Sequence, residues 1–351
     1  MLIYLHIPFC DSLCHYCAFN SYVDKFNLKP SYMNAIQTHL KDELARFEPK
    51  PKSIRSLFIG GGTPSTITPK YYEGFFELLR PYLCDDAEIT TEANPNSATL
   101  PWLQEMRALG VNRVSFGVQS FDDEKLKFLG RNHNKNLAIK AVNHAHQAGF
   151  ENISIDLIYG TSMDTSALLS HDLDIAFSLP INHLSAYSLT IEEGTPFFQT
   201  PQVAHDCLPL ATTFVQDIIK RGLPQYEISN FGTYESVHNR GYWEHDDYIG
   251  IGAGAVGYHD KHRFYTEKGI EAFIKNPKSI TEEPLNSEDI HVEKIFLGLR
   301  SKVGIAMEEF HHDELQYVTI LLEEHKLKAD QGRVYNLDYF LSDELALFIT
   351  Q

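Results

Sequence analysis

The sequence predicts an α/β protein built on an incomplete (β/α)6 barrel of the TIM type, followed by a small, mainly helical C-terminal domain. Short apolar runs alternate with amphipathic helical stretches through more than half of the 351 residues, which is typical of a parallel sheet with helical crossovers. An open, doubly wound sheet is the alternative, because periodicity alone does not separate the two.

The predicted strands are runs rich in β-branched and aromatic residues, at 2–7, 57–59, 88–91, 113–116, 153–158 and 184–189. Helices are predicted where apolar residues recur at three- and four-residue spacing, at 32–47, 69–79, 100–109, 136–148 and 166–177. Ser31 is the expected N-cap of the first helix, and Gly110 and Gly149 are expected to end two others.

The regular alternation fades after about residue 191. A long connection at 193–209 precedes a helix at 210–221, and a stretch rich in glycine and aromatic residues covers 226–265. From about residue 284 the pattern is helical. We therefore expect a barrel core at 1–230, a connecting segment at 231–284 and a helical domain at 285–351.

Charge and cysteine content exclude several classes of protein. With 47 acidic and 30 basic residues the net charge is −17, so general binding to nucleic acid is not expected. The sequence has no apolar run of spanning length, and its start lacks the flank of a signal peptide, so we expect a cytoplasmic protein. Five cysteines, three of them within eight residues, do not make a disulfide framework.

The three clustered cysteines, Cys10, Cys14 and Cys17, follow the first predicted strand on one short loop. Thiolates are soft ligands that suit zinc or iron–sulfur iron. A closed zinc site needs a fourth ligand, which His6 or His15 would supply, so zinc stays open at this point. A [4Fe–4S] cluster on three cysteines instead leaves one iron free to bind a small molecule.

Polar residues follow the other predicted strands, at the end of the sheet where barrel enzymes keep their sites. They are the GGGTP run at 60–64, Glu92, Gln119, Arg131 and Asp156. Glycines let a ligand approach the backbone closely, and an aspartate within an apolar strand is costly unless it is paired or bound to something. Together these residues predict a ligand site.

The C-x3-C-x2-C spacing resembles that of the radical S-adenosylmethionine family. In that family the open iron chelates the methionine end of the cofactor, and the cluster passes an electron to the sulfonium, so that the bond to the adenosyl group breaks. Longer motifs, HIPFC at 6–10, GVQS at 117–120, DLIYG at 156–160 and GIGAG at 250–254, are similar to the oxygen-independent coproporphyrinogen III oxidase group. The resemblance implies a [4Fe–4S] cluster on Cys10, Cys14 and Cys17, and S-adenosylmethionine contacts at Tyr4, Tyr16, Gly61, Gly62, Thr63, Glu92, Gln119, Arg131, Asp156 and Thr190. Only Thr190 departs from the residue type of the group.

Three features distinguish branches of this group. The oxidases carry a fourth cysteine two positions after the triplet, where this sequence has Phe19, and they have an extension before the first strand. The HNRGYW motif at 238–243 resembles the H-N-x-x-Y-W element of the HemW family of haem chaperones. The resemblance implies haem contact through His238 or Tyr242, without fixing which of them binds iron. By side-chain chemistry, Trp243 offers a flat face for stacking on the macrocycle and Arg240 a cation for a propionate. The structural alternative is a segment at the barrel bottom with His238 simply hydrogen-bonded.

The expected function is therefore that of a haem chaperone with a [4Fe–4S] cluster and S-adenosylmethionine, delivering haem to haem-requiring proteins such as respiratory membrane enzymes. A homodimer and a peripheral position at the inner membrane stay open, whereas a membrane span and nucleic acid are not expected. The rival is an oxygen-independent coproporphyrinogen III oxidase, an enzyme of oxidative decarboxylation, against which Phe19 argues. A zinc-stabilised barrel without redox chemistry is the third hypothesis.

Overall fold

Six parallel strands lie side by side in chain order in the computed structural model, which describes residues 1–351. They are β1 (Leu2–Ile7), β2 (Ile54–Gly61), β3 (Leu83–Ala93), β4 (Arg113–Gln119), β5 (Asn152–Tyr159) and β6 (His183–Ser188). The helices of this region are α1 (Lys29–Phe47), α2 (Glu73–Leu79), α3 (Leu100–Leu109), α4 (Asp123–Phe128), α5 (Lys135–Gln147), α6 (Ser166–Ala176) and α7 (Leu208–Lys220).

The order of these strands identifies an incomplete barrel. Because each crossover moves the chain to the next position in the same direction, right-handed connections put the helices on one face of the sheet. A doubly wound sheet reverses its strand order and carries helices on both faces, so that alternative is wrong. One cluster of 55 buried apolar residues forms the core between the sheet and the helices.

Further strands extend the sheet to 11 without closing it. At one edge β7 (Asn230–Gly232) runs antiparallel to β6. At the other side β8 (Tyr248–Ile251) runs parallel to β1. It is followed outward by β9 (Val256–His259), β10 (His262–Thr266) and β11 (Ile280–Pro284). Two short helices, α8 (Val237–Trp243) and α9 (Ile270–Lys275), belong to this region.

The C-terminal residues form a second, smaller core. Its helices are α10 (Ser287–Leu299), α11 (Leu315–Glu323) and α12 (Ser342–Ile349). A separate three-stranded sheet has the order β12 (Ile305–Ala306), β14 (Arg333–Asn336), β13 (Leu327–Asp330). Eleven buried apolar residues form a cluster of their own here. The sequence predicted the helices but not this sheet, because strands of two to four residues are too short to show an alternating pattern.

The element boundaries show where local signals were misleading. The helix α1 begins at Lys29 with a proline in its first turn, so Ser31 lies inside the helix and its predicted capping role is wrong. Gly110 ends α3 with a φ of +111°, a left-handed conformation that favours glycine. The fourth helix, α4, was not predicted.

No helix is both long and apolar enough to cross a membrane.

Candidate functional site

The three cysteine side chains of the loop after β1 line a single cavity of about 560 Å³. Burial, and to a smaller extent the neighbouring Cys14 and Cys10, raise the pKa of the Cys17 thiol to about 11. Three thiolates so close together repel one another, and a metal centre between them removes that repulsion because it is itself cationic. The donor set therefore fits a metal centre bound by soft ligands.

Neither nearby histidine supplies a fourth ligand to this loop. The Nε2 atom of His6 lies 2.8 Å from the carbonyl oxygen of Asn20, and its Nδ1 lies 3.0 Å from the Tyr4 hydroxyl. The Nδ1 atom of His15 lies 2.8 Å from the carbonyl oxygen of Phe128. With three protein ligands, the site fits an iron–sulfur cluster that has one open iron better than a closed zinc site.

The glycine run after β2 packs directly against the cysteine loop. Gly61 has a φ of +108°, and a Cβ atom there would lie 2.5 Å from the His6 ring. A Cβ atom on Gly62 would lie 3.0 Å from the Cys10 sulfur. The Thr63 hydroxyl lies 3.5 Å from that sulfur. A side chain at Gly61 would displace the His6 ring and one at Gly62 would displace the cysteine loop, so the absence of side chains lets this run pack against both.

Two buried carboxyl groups face the same cavity. Glu92, next to the final residue of β3, accepts a hydrogen bond of 3.1 Å from the backbone N–H of Gly61. Burial, and then the charge of Asp156, raise the pKa of Glu92 to about 8. Burial also raises the pKa of Asp156 to about 6, although Ser115 donates to it at 3.1 Å. A cationic ligand in this cavity would stabilise both carboxylates.

The Arg131 side chain and an irregularity in β4 at Gln119 also contribute to the wall of the cysteine-lined cavity. The Arg131 guanidinium donates to the Cys14 sulfur at 3.2 Å, to the carbonyl of Gly117 at 2.7 Å, and to Asn94. Gln119 has a φ of +70°, and the pairing of β4 with β5 shifts register just before it. Such a bulge re-aims the side chains at a strand end, and it leaves Gln119 in the cavity wall.

All but one of the predicted positions for cluster and cofactor line this cavity: Cys10, Cys14, Tyr16, Cys17, Gly61, Gly62, Thr63, Glu92, Gln119, Arg131, Asp156 and Thr190. The exception is Tyr4, which faces a second cavity. Asn94, which fixes Arg131, was not singled out from the sequence. Its signal was its position two residues after Glu92 at the end of the same strand.

The second cavity, of about 720 Å³, adjoins the first, because Ala18 and Phe19 line both. Phe19 is 71% exposed at this boundary. Its walls include six phenylalanine and tyrosine side chains, and both residues predicted to bind haem, His238 and Tyr242, are among the lining residues. The second cavity therefore extends from the cysteine loop to the two residues predicted to bind haem.

The helix α8, which carries the HNRGYW motif, lies at the bottom of the barrel, where the parallel strands begin. His238 is buried, and its Nδ1 lies 2.8 Å from the Ser56 hydroxyl and its Nε2 2.9 Å from the Tyr242 hydroxyl. Burial, and then the charge of Arg113, lower the pKa of His238 to about 3. His238 is thus a neutral, doubly hydrogen-bonded imidazole, in agreement with the structural alternative.

A buried carboxylate that the sequence did not single out fixes this helix. Glu88 on β3 accepts hydrogen bonds from the backbone N–H groups of Val237 and His238, at 2.9 and 3.0 Å. It also accepts from the hydroxyls of Tyr234 and Ser236, at 3.0 and 3.2 Å. Donors at a helix N-terminus lack partners within the helix, and a carboxylate satisfies them well.

Two other residues of the motif, Arg240 and Trp243, do not line the second cavity. Arg240 pairs with Glu244 at 2.8 Å and lies in a separate groove with Lys302 and Arg333. Its predicted pairing with a propionate of haem held at His238 is therefore not supported. Trp243 lines neither of the two cavities.

The amino-acid sequence is similar to those of characterised protein families. The sequence profile of the Radical SAM superfamily matches residues 4–169. The chain is 34% identical to heme chaperone HemW of Bacillus subtilis over 325 residues, 88% of this chain and 85% of that protein. It is 33% identical to heme chaperone HemW of Lactococcus lactis, over 95% of this chain and 93% of that protein.

Among solved structures, coproporphyrinogen III oxidase (HemN) from Escherichia coli, a radical SAM enzyme, is similar throughout. The TM-score is 0.83 over 100% of this chain and 90% of that one. At 19% sequence identity, this likeness establishes the fold and not the activity.

Proposed function

The chain belongs to the HemW family within the radical SAM superfamily, and from this premise we propose that it binds haem and delivers it to haem-requiring proteins. One observation supports haem binding above all. A cavity of about 720 Å³ has six phenylalanine and tyrosine side chains in its walls, includes His238 and Tyr242, and adjoins the cysteine-lined cavity. Its volume is that of a site for a cofactor-sized ligand.

The cysteine-lined cavity is proposed to hold the cluster and S-adenosylmethionine. Cys10, Cys14 and Cys17 would bind a [4Fe–4S] cluster, which supplies an open iron for the methionine end of the cofactor and an electron source. Glu92 and Asp156 would face the positive charges of S-adenosylmethionine, while Arg131 holds Cys14 through its hydrogen bond of 3.2 Å. The glycine run would present backbone groups to the ligand.

His238 is the better candidate for the haem ligand of the two. Its lowered pKa of about 3 keeps the imidazole neutral at physiological pH, as iron ligation requires. Burial raises the pKa of Tyr242, so forming a phenolate there is costly. Ser56 holds Nδ1 at 2.8 Å, which leaves Nε2 for iron once its hydrogen bond to Tyr242 opens.

Delivery requires that an acceptor reach the second cavity, which we call the haem cavity. Two apolar side chains near the cysteines are exposed: Phe19 (71% exposed) lines both cavities, and Leu13 (55% exposed) lines the cysteine-lined cavity. Exposed apolar groups at a cavity mouth suit contact with another protein. We propose respiratory haem proteins as acceptors. If these acceptors are bound to the inner membrane, the protein would meet them there.

Phe19 also bears on the rival enzymatic function. It occupies the position where the oxidases have their fourth cysteine, and a phenyl ring cannot replace a thiol as ligand, acid or redox group. We therefore propose that the protein does not convert coproporphyrinogen III to protoporphyrinogen IX. Product analysis after anaerobic incubation with S-adenosylmethionine and a reductant would contradict this if protoporphyrinogen IX formed.

Haem binding is tested by anaerobic titration of the cluster-loaded protein with haem, followed by absorption in the Soret region. We expect one saturable site in the wild type and loss of its ligand-specific spectrum in His238→Ala. Tyr242→Phe should retain binding, because it removes only the partner of Nε2. The matched control is His146→Ala, which removes an exposed histidine of α5 and should bind as the wild type does. Wild-type binding by His238→Ala would show that this residue is not the ligand.

A further inference from the structure

A row of aromatic side chains leads away from His238 along the wall of the haem cavity. The His238 ring centroid lies 5.1 Å from that of Phe58 and 4.7 Å from that of Tyr242. Tyr242 lies 4.8 Å from Tyr248, which lies 6.2 Å from Tyr258. All five residues line the cavity. Successive rings meet edge to face, at 79° and 81°, or tilted, at 30° and 33°, so the row offers a flat macrocycle both ring edges and ring faces to contact.

The sheet continues this row to a guanidinium group. Tyr248 of β8 pairs with Tyr258 of β9, and Tyr258 pairs with Arg263 of β10. Residues directly opposite one another in an antiparallel pair project from the same face, so the three side chains lie in line. Arg263 also lines the cavity.

Arg263 is held at this place by acidic neighbours. Its guanidinium donates to Glu293 of α10 at 2.8 Å and lies 3.9 Å from Glu283 of β11. Glu293 is in turn 3.3 Å from the Nε2 atom of His245. The Arg263 side chain is 30% exposed and that of Glu293 31%, so both remain accessible from the cavity. An incoming carboxylate can therefore replace Glu293 as the partner of Arg263.

From this geometry we propose that Arg263 binds a propionate of haem and that Glu293 competes with the propionate for it. This inference rests on the proposed haem site at His238. Haem would lie along the aromatic row, with its iron towards His238 and a propionate at Arg263. In a chain of net charge −17, such a local cation is needed because the overall field repels a dianionic ligand.

Two other cations are less suited to this role. Lys268 also lines the cavity, but its side chain is exposed, and a lysine ammonium is strongly hydrated and lacks the planar fork that matches a carboxylate. Arg240, the residue that the sequence suggested, lies in a groove lined by Glu244, Lys302, Val303 and Arg333 and not in the haem cavity.

The experiment compares haem with haem dimethyl ester, which has the same macrocycle without free propionates. Both ligands are titrated into cluster-loaded wild type, Arg263→Gln, Glu293→Gln and the control Arg240→Gln. We expect Arg263→Gln to weaken haem binding roughly 10- to 100-fold, the range for loss of a charge-assisted hydrogen bond, without changing binding of the ester. Glu293→Gln should strengthen haem binding several-fold because it removes the competitor, and Arg240→Gln should change neither ligand.

The outcomes separate this inference from the proposed function. If the wild type binds neither ligand, the haem site itself is wrong. If the wild type binds haem but Arg263→Gln binds it equally well, or loses haem and ester to the same extent, the assignment of Arg263 is wrong. Weaker haem binding by Glu293→Gln would also overturn it, and this variant does not depend on Arg263→Gln being stably folded.

Discussion

Replacing Glu88 by glutamine should loosen the helix that carries the haem motif. Each carboxylate oxygen of Glu88 accepts from one backbone N–H and one hydroxyl of the α8 N-terminus. The hydroxyls of Tyr234 and Ser236 can rotate to accept from an amide, but the backbone N–H groups of Val237 and His238 cannot. Either orientation of the amide therefore leaves one N–H facing an NH2 group. Loss of that bond, together with the weaker neutral bonds that remain, should cost about 2–3 kcal/mol.

This decrease in the free energy of unfolding is measurable, and the variant should still fold, since domains are stable by about 5–15 kcal/mol. Urea-induced unfolding should show the decrease for Glu88→Gln, whereas Glu151→Gln, an exposed residue, should behave as the wild type does. Haem affinity should fall as well, because α8 positions the His238 ring. Wild-type stability of Glu88→Gln would refute the view that this carboxylate holds the helix.

Two further predictions concern buried charges. Glu92 has a pKa of about 8 and is largely protonated at pH 7, so a cationic ligand that favours its ionised form must release a proton on binding. Affinity for S-adenosylmethionine in cluster-loaded protein should then rise between pH 6 and 8 by up to about tenfold per pH unit. In Glu92→Gln the affinity should depend less on pH. An equally steep pH dependence in the variant would show that Glu92 does not cause it. Lys125 donates to Asp164 at 2.6 Å with both side chains fully buried, so Lys125→Met should destabilise by about 3–5 kcal/mol because it leaves a carboxylate unpaired. Lys127→Met, which removes an exposed pair, should cost no more than about 1 kcal/mol in the same urea unfolding experiment, and equal losses in the two variants would contradict this account.

The barrel was predictable because its signals are local and repeated. Each strand of the core is a compact apolar run, and the polar residues after the strands meet because parallel strands end at one edge of the sheet. The resemblance to a known family, in turn, identified which of these residues share a cavity. The long β3, by contrast, includes exposed Asp85 and Asp86, which hide its beginning.

The surroundings of the haem motif could not be predicted in the same way. Glu88 is 150 positions from His238, which donates to it, and nothing in the local pattern relates them. Lys125 and Asp164 look like solvated residues in sequence, and only the fold buries them together. Arg240 seemed the natural propionate partner because it is adjacent in sequence, whereas the sheet register aligns Arg263 with the aromatic row. Contacts between distant segments depend on tertiary packing, which periodicity does not encode.

The proposed function requires haem bound at His238 to pass from this protein to an acceptor. Its most direct test is an anaerobic transfer experiment, in which haem-loaded protein is mixed with an apo-form respiratory haem protein and the acceptor is then separated and its haem measured. We predict that the wild type fills the acceptor faster than free haem does, and that His238→Ala gives no acceleration. Equal transfer by wild type, His238→Ala and free haem would contradict the proposed function.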